Sequence, residues 1–171
     1  MTRLADKAIV VTGGGGLVGA AFCRALAAEG ASVLVNDIDP TTAEATVESI
    51  VTRGGTASAL ASSVGNWEDG KQIVDACVDR YGRIDCLVNA AGRAVAQPLV
   101  DITEVDFMVA WSSHVVGHFA CAHRAAQHMS KQGGGSIVNV VSRAMAGWRH
   151  HSAYGAAKGA ILSATINWAL E

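Results

Sequence analysis

Short apolar runs alternate with longer segments of helical periodicity along the whole sequence. Glycines stand where the helical segments should end, as at Gly30, Gly54 and the triplet Gly133–Gly135. Continuous apolar strands joined by helical crossovers predict a single α/β domain, residues 1–171, with a doubly wound parallel sheet. The predicted strands are Ala8–Val11, Ser32–Val35, Thr56–Leu60, Ile84–Val88 and Ser136–Val141, and the predicted helices are Leu17–Glu29, Pro40 to about Arg53, Trp67–Tyr81, Thr103–Ser130 and Ser152–Glu171.

The composition excludes several classes of protein. A formal net charge of −2 gives no electrostatic reason to bind nucleic acid or an anionic membrane. The N-terminus lacks the apolar segment of a secretory signal, and no apolar stretch has the length of a transmembrane helix. Four scattered cysteines without a C-x-x-C pair predict reduced thiols in a cytoplasmic protein. His114 and His118 have the spacing of some zinc ligands, but no nearby acid or cysteine completes a set, so we expect no metal.

A glycine-rich loop follows the first predicted strand and leads into the first predicted helix. The loop Thr12–Gly19 contains Gly14-x-Gly16-x-x-Gly19, preceded by Gly13 and interrupted by Leu17. Glycines at this spacing permit a tight turn and a close approach of the backbone to a pyrophosphate, which the helix N-terminus then receives. A flexible glycine turn is the alternative, because the motif alone is weak. Its position between strand and helix favours a Rossmann-like dinucleotide site.

Asp37 ends the second predicted strand, 18 residues after Gly19. A carboxylate there can accept both ribose hydroxyls of an adenosine and would repel the 2′-phosphate of NADP. Ile38 and Asp39 follow, so no cation is adjacent, and the sequence favours NAD as the cofactor. The alternative is that Asp37 begins a solvated turn. Asp39, directly before Pro40, is the better candidate for a helix N-cap.

Tyr154 and Lys158 lie one helical turn apart, and Ser142 precedes Tyr154 by twelve residues. An ammonium near a phenol favours the phenolate, so Tyr154 could exchange a proton with a substrate oxygen. Ser142 follows a predicted strand, at the edge of a parallel sheet where ligands bind, and its hydroxyl can hold the same oxygen. The set predicts hydride transfer between nicotinamide and an alcohol or ketone. An isolated Tyr–Lys pair would more often be a solvated helix face.

The sequence resembles the short-chain dehydrogenase/reductase family over essentially its whole length. The resemblance is carried by Thr12–Gly19, by Asn89, Ala90, Ala91 and Gly92 after the fourth strand, and by Ser142, Tyr154 and Lys158. It implies that Tyr154 is the acid/base, that Lys158 also binds the nicotinamide ribose, and that Ser142 orients the substrate oxygen. It implies that residues 89–92 shape the adenosine and sheet side of the cofactor site. It also implies dimers or tetramers paired through the two long helices, about Thr103–Ser130 and Ser152–Glu171.

Three positions depart from that family pattern. Leu17 stands where the common loop TGxxxGxG has glycine, and the spacing TGxxGxxG of the extended branch fits better. Ser63, followed by Val64 at the expected adenine position, replaces a frequent aspartate. His114, three residues before Gly117, stands where the family usually has asparagine. Its backbone carbonyl could hold a relay water, as that asparagine's does, or its imidazole could act as a proton shuttle.

The family normally continues beyond Glu171 with a sixth strand, a substrate lid and a seventh strand. We therefore expect a partial sequence or a truncated product whose fifth strand is an exposed edge. A catalytically inactive NAD-binding or interaction protein and a non-functional fragment are the alternatives to an active enzyme. The segment Trp148–His151 is expected either to line a substrate pocket or to form a polar surface loop. The substrate itself cannot be read from motifs that a large family shares.

Overall fold

Five parallel strands form the sheet of the computed structural model, which describes residues 2–171; Met1, included in the predicted domain, lies outside the described residues. The strands are β1 (Ala8–Thr12), β2 (Ser32–Asp37), β3 (Thr56–Ala61), β4 (Cys86–Asn89) and β5 (Ser136–Asn139). Their order in the sheet is β3-β2-β1-β4-β5. This order, with every neighbouring pair parallel, confirms the doubly wound, Rossmann-like sheet.

Helices cover both faces of the sheet. They are α1 (Leu17–Ala28), α2 (Pro40–Val51), α3 (Trp67–Tyr81), α4 (Glu104–Trp111), α5 (Gly117–Gln132) and α6 (Ser152–Trp168). Asp39 caps α2 by accepting a hydrogen bond from the Thr41 N–H, as the sequence predicted. Within residues 2–171, none of the helices combines the length and the apolar run that a bilayer span requires.

Successive side chains along a strand point to opposite faces of the sheet, and each face packs against its own layer of helices. Ile9 and Val11 of β1 pack with α1 and α2, whereas Val10 packs with α3 and α5. The second layer is reinforced by an ion pair between helices, in which the Arg124 guanidinium of α5 binds both carboxylate oxygens of Asp75 on α3, at 2.6 and 3.0 Å. The central strands β1, β2 and β4 are therefore largely buried on both faces, whereas the edge strand β5 leaves Val138 exposed, and the ends of the strands remain for binding.

The prediction of one continuous α-helix over Thr103–Ser130 is wrong. Two α-helices, α4 and α5, are joined by a π-helical turn at Ser112–Val116, where the Gly117 N–H reaches back to the Ser112 carbonyl. The N-terminal end matches the prediction, because Thr103 and Asp106 form a reciprocal capping box. The strand predicted as Ser136–Val141 ends earlier, at Asn139.

Candidate active site

The glycine loop is shaped by close backbone approaches. Gly13 has a φ of +66°, and a Cβ there would lie 2.8 Å from the Ala91 Cα. A Cβ at Gly19 would overlap the Gly13 carbonyl, so the start of α1 lies directly on the loop. Gly16, the N-cap of α1, has no side chain to cap the first turn. The first N–H groups of α1 therefore remain available to an anion.

The Asp37 carboxylate stands beside this loop at the end of β2. Its Oδ2 accepts a hydrogen bond from the Gly15 N–H at 3.0 Å, and its Oδ1 accepts one from the Asp39 N–H at 3.1 Å. A carboxylate offers about four acceptor positions, so capacity remains for the hydroxyls of a ligand.

Thr12 fixes the loop to the turn that follows β4. Its hydroxyl oxygen is buried and accepts hydrogen bonds from the N–H groups of Ala90 and Ala91, each at 3.2 Å. Asn89 is also buried, and its amide donates to the Asn139 side chain of β5 at 2.9 Å. Asn139 donates in turn to the Thr165 hydroxyl of α6 at 2.9 Å. A polar chain thus joins β4, β5 and α6 beneath the site.

A cleft of about 630 Å³ opens above these strand ends. Of its described lining residues, Asp37 and Arg93 carry charge. The predicted cofactor residues that line it are Gly13, Gly16, Leu17, Gly19, Asp37, Ser63, Val64, Ala90, Ala91 and Gly92. The predicted residues Thr12, Gly14 and Asn89 support this wall from behind, since Thr12 and Asn89 are buried and the Gly14 N–H bonds to the Asn36 carbonyl.

Tyr154 and Lys158 lie in the first two turns of α6. Lys158 is 3% exposed, and its ammonium donates to the Val140 carbonyl at 2.5 Å and lies 5.9 Å from the centre of the Tyr154 ring. Burial lowers the pKa of Lys158 to about 8. Lys158 is thus held rigidly near the phenol while keeping donors for another acceptor.

Ser142 lies two residues after Val140, at the start of a 3₁₀ turn spanning Arg143–Ala146. Its hydroxyl oxygen accepts a hydrogen bond from the Ala144 N–H at 3.2 Å. This turn packs directly on α6, because a Cβ at Gly155 would lie 2.5 Å from the Ala144 carbonyl oxygen. Gly155 therefore permits the close approach that brings Ser142 to the end of α6 that carries Tyr154.

Two buried histidines lie behind Tyr154. The His114 ring centre is 5.1 Å from that of Tyr154 and 6.2 Å from that of His118. A ring nitrogen of His118, Nε2, pairs with the Ala91 carbonyl at 3.1 Å and must be its donor. Burial first, then the charge on Lys158, lowers the pKa of His114 to about 4 and that of His118 to about 3.

A second cleft, of about 510 Å³, lies on the other flank of α6. It is lined by Gly155, Ala156 and Gly159, which helical geometry places about 100–200° around the axis from Tyr154. Trp148 and His151 line this cleft as well, with their rings stacked 4.7 Å apart. The segment Trp148–His151 therefore borders a cavity, but Tyr154 and Lys158 are among the described lining residues of neither this cleft nor the larger one.

Sequence reasoning missed several lining residues of the larger cleft. The turn after β4 and the start of the π-helical turn contribute Arg93, Ser112 and Ser113, and the Arg93 N–H donates to the Ser113 hydroxyl at 3.1 Å. Ile38, directly after Asp37, lines the cleft too, and its position in the sequence could have indicated it. Arg93 and the two serines come together only through the folding of the chain from β4 to the π-helical turn.

Comparison with known proteins points to one family. Residues 7–171 match the family model described as short chain dehydrogenase. An uncharacterized oxidoreductase from Thermotoga maritima is 36% identical over 166 residues, which are 96% of this chain and 65% of that protein. The chain therefore spans about two thirds of the length of this relative.

Solved structures give the same result. A short chain dehydrogenase from Mycobacterium avium superposes with a TM-score of 0.94 at 34% identity, covering 98% of this chain and 63% of that one. A xylitol dehydrogenase with bound NAD⁺ superposes with a TM-score of 0.94 at 32% identity, covering 98% of this chain and 65% of that one.

Proposed function

The chain belongs to the short-chain dehydrogenase family, and we propose that it is an NAD-dependent oxidoreductase acting on a secondary alcohol or the corresponding ketone. The observation that carries this proposal is the cleft of about 630 Å³, which has the glycine loop on one wall and the Asp37 carboxylate at its adenosine end. Its volume is within the usual range for cofactor sites.

The residues present fit a dinucleotide. Gly13 lies so close to the Ala91 backbone that a side chain there would collide with it, and the first N–H groups of α1, which no side chain caps, could meet the pyrophosphate. Ile38 and Val64 offer apolar contacts to an adenine. Asp37 would accept the ribose hydroxyls and repel a 2′-phosphate, which favours NAD over NADP.

Tyr154 would serve as the acid/base. Its hydroxyl would take the proton of the alcohol during oxidation and return it to the ketone during reduction. Lys158, anchored to Val140, would stabilise the phenolate and donate to the nicotinamide ribose. Ser142 would hold the substrate oxygen. When bound, NAD would supply the acceptor for the hydride.

We propose further that copies of the chain pair through their long helices. Val105 and Met108 of α4 and Ile166 of α6 are exposed apolar side chains on these helices. Sedimentation analysis of the wild type and of Ile166→Glu tests this. A dimer or larger assembly that Ile166→Glu dissociates supports the pairing, and a monomeric wild type contradicts it.

The proposed activity is tested by a turnover screen over a panel of secondary alcohols and ketones, with NAD(H) and NADP(H) as alternative cofactors. Cofactor binding is measured on the same samples by calorimetry. Turnover that requires NAD or NADH supports the proposal. Tight binding without any turnover favours a cofactor-binding protein instead, and absence of both contradicts the assignment.

A further inference from the structure

Arg143 is an exposed cation beside the smaller cleft. Its guanidinium lies over the Trp148 ring, 4.8 Å from the ring centre. Within residues 2–171, no carboxylate forms an ion pair with Arg143 or with Arg149. Stacking on an indole uses the flat face of a guanidinium, so the N–H donors at its edge remain available to an oxyanion.

A row of rings connects this guanidinium to the proposed acid/base. The Trp148 and His151 rings are stacked 4.7 Å apart, and the His151 ring centre is 6.0 Å from that of Tyr154. The row therefore runs in three steps from the phenol to the guanidinium. Ser142, which we propose holds the substrate oxygen, directly precedes Arg143 at the start of the 3₁₀ turn. A small molecule can therefore meet the reacting groups at one end and the cation at the other.

The loop that carries these rings is held in place by hydrogen bonds. The Nδ1 atom of His151 lies 2.8 Å from the Arg149 carbonyl and must be the donor, because a carbonyl oxygen only accepts. The His150 carbonyl accepts a hydrogen bond from the Gln97 N–H at 2.7 Å. His150 has a φ of +65°, a conformation that few residues with a side chain adopt. These contacts fix the segment Trp148–His151 against the chain that follows β4, as a binding surface requires.

The smaller cleft combines apolar walls with the nearby positive charge. Leu99, Met145 and Trp148 supply apolar surface, and none of the described lining residues is acidic. The surrounding sequence is equally poor in carboxylates, because residues 107–170 contain no Asp or Glu but five lysines and arginines. The volume of about 510 Å³ suits a small molecule. An anion that enters this cleft is attracted by Arg143 and meets no repelling carboxylate in the wall.

We propose that the substrate is a secondary alcohol or ketone that also carries a carboxylate or phosphate group, and that Arg143 binds this oxyanion. The inference rests on the proposed function, in which Tyr154 and Ser142 hold the reacting oxygen. The carbon chain between the two ends lies against Trp148 and Leu99. A guanidinium suits this role because its paired N–H donors match two oxygens of a carboxylate or phosphate.

The first experiment measures binding without turnover. Arginine Nε–H signals of the intact, ¹⁵N-labelled chain are recorded by NMR, and the Arg143 signal is assigned from its loss in Arg143→Lys. The chain is titrated with levulinate and with its neutral amide, and then with dihydroxyacetone phosphate and with dihydroxyacetone. We expect the anions, and not their neutral counterparts, to shift the Arg143 signal. The anion that saturates the shift at the lower concentration identifies the preferred group.

Two results of the titration would overturn the proposal. One is an Arg143 signal that neither anion shifts. The other is an equal shift with levulinate and with its amide, because the oxyanion would then not be the group that is recognised.

The second experiment compares kcat/KM for levulinate with kcat/KM for its amide. Arg143→Gln should lower the ratio of the two values on the order of tenfold, mainly through the KM for levulinate, because an exposed charge pair contributes less than a buried one. Arg143→Lys keeps the charge without the paired donors and should recover part of the loss. Arg53→Gln is the matched control, because it removes the same charge at a separate cavity between α1 and α2 and should not change the ratio.

The outcomes separate this inference from the proposed function. Equal ratios in the wild type and in Arg143→Gln, together with normal turnover, would overturn the anion site and leave the oxidoreductase assignment intact. A wild type that turns over no alcohol or ketone with either cofactor would refute the proposed function instead. The NMR titration would then still decide whether Arg143 binds the oxyanion.

Discussion

Asp37 and Gly15 are joined by a hydrogen bond of 3.0 Å, in which the glycine N–H donates to the carboxylate. The bond connects the end of β2 to the loop between β1 and α1, so the same carboxylate braces the loop and faces the cleft. Its bonding partners, the Gly15 and Asp39 N–H groups, belong to the backbone and carry no formal charge. A negative charge therefore remains at the edge of the cleft.

We predict that Asp37→Asn lowers the affinity for NADH by about 10- to 100-fold, because a hydrogen bond to a charged group contributes about 1.5–3 kcal/mol. The affinity for NADPH should fall less or should rise, because Asp37→Asn removes the negative charge that repels the 2′-phosphate. Fluorescence titration of both cofactors measures the change. Asp39→Asn is the control, because Asp39 caps α2 through Thr41. Unchanged affinities for both cofactors in Asp37→Asn would refute the assignment of Asp37.

Tyr154→Phe removes the hydroxyl and keeps the ring. We predict that turnover falls by about 10²- to 10⁴-fold, the usual contribution of a general acid/base, while NADH affinity changes little. Steady-state rates and NADH titration check the two parts separately. Tyr81→Phe is the matched control, because the Tyr81 hydroxyl bonds to Ser58 far from the cleft. Near-normal turnover of Tyr154→Phe would exclude it as the acid/base.

Gly19 and Gly159 both lie in helices, but Gly19 is tightly packed and Gly159 faces open space. A Cβ at Gly19 would overlap the Gly13 carbonyl, whereas a Cβ at Gly159 meets nothing within 4 Å. We predict that Gly19→Ala destabilises the fold and weakens NADH binding, and that Gly159→Ala raises the free energy of unfolding by about 0.5–1 kcal/mol through helix propensity. Urea unfolding measures both. If Gly19→Ala left the free energy of unfolding and the NADH affinity unchanged, the loop would have to be able to move away from α1.

Burial of Lys158 makes stability depend on pH. Its pKa is lowered from 10.5 to about 8 in the folded chain, so the unfolded chain binds more protons between these values. The free energy of unfolding should therefore rise as pH increases through this window, by about 3 kcal/mol for this group at 1.36 kcal/mol per pKa unit. Below about pH 8, Lys158 is charged in both the folded and the unfolded chain, and the cost of burying its charge lowers the free energy of unfolding in full.

The buried thiols oppose this effect. Burial raises the pKa of Cys23, Cys77 and Cys121 to about 12, so their contribution to stability falls above the ordinary thiol pKa of 9.0. The difference between wild type and Lys158→Met removes that background. We expect the variant to lack the rise between about pH 8 and about pH 10, as urea unfolding at several pH values would show. Parallel curves for the two proteins would mean that Lys158 is not desolvated.

The sheet could be predicted because its strands are short apolar runs bounded by glycines. Val10 and Leu34 lie in such runs, and they pack where the alternation places them. The π-helical turn was not predicted, because Ser112–Val116 contains neither a proline nor a glycine that would mark a break in the helix. Within this turn the His114 ring lies against Gly92, with its centre 5.1 Å from that of Tyr154, and no local sequence pattern encodes these contacts.

The candidate site divides in the same way. The loop, Asp37 and the Tyr154–Lys158 pair are local patterns, and their spacing in the sequence was enough to propose them as site residues. The Thr12–Ala91 hydrogen bond and the Arg93–Ser113 hydrogen bond join segments 79 and 20 residues apart. Contacts over such separations follow from how the strands pair, which composition and periodicity along one segment do not encode.

The π-helical turn also determines which mutations the long helix can tolerate. The hydrogen bonds of a π-helical turn join residues five apart, so the turn holds one residue more than an α-helical turn. Deleting one residue from Ser112–Val116 would rotate α5 by about 100° relative to α4. That rotation would carry His118 away from the Ala91 carbonyl and Arg124 away from Asp75 at the same time. A substitution in this turn acts locally, whereas a one-residue change in its length would break both the His118–Ala91 hydrogen bond and the Arg124–Asp75 ion pair.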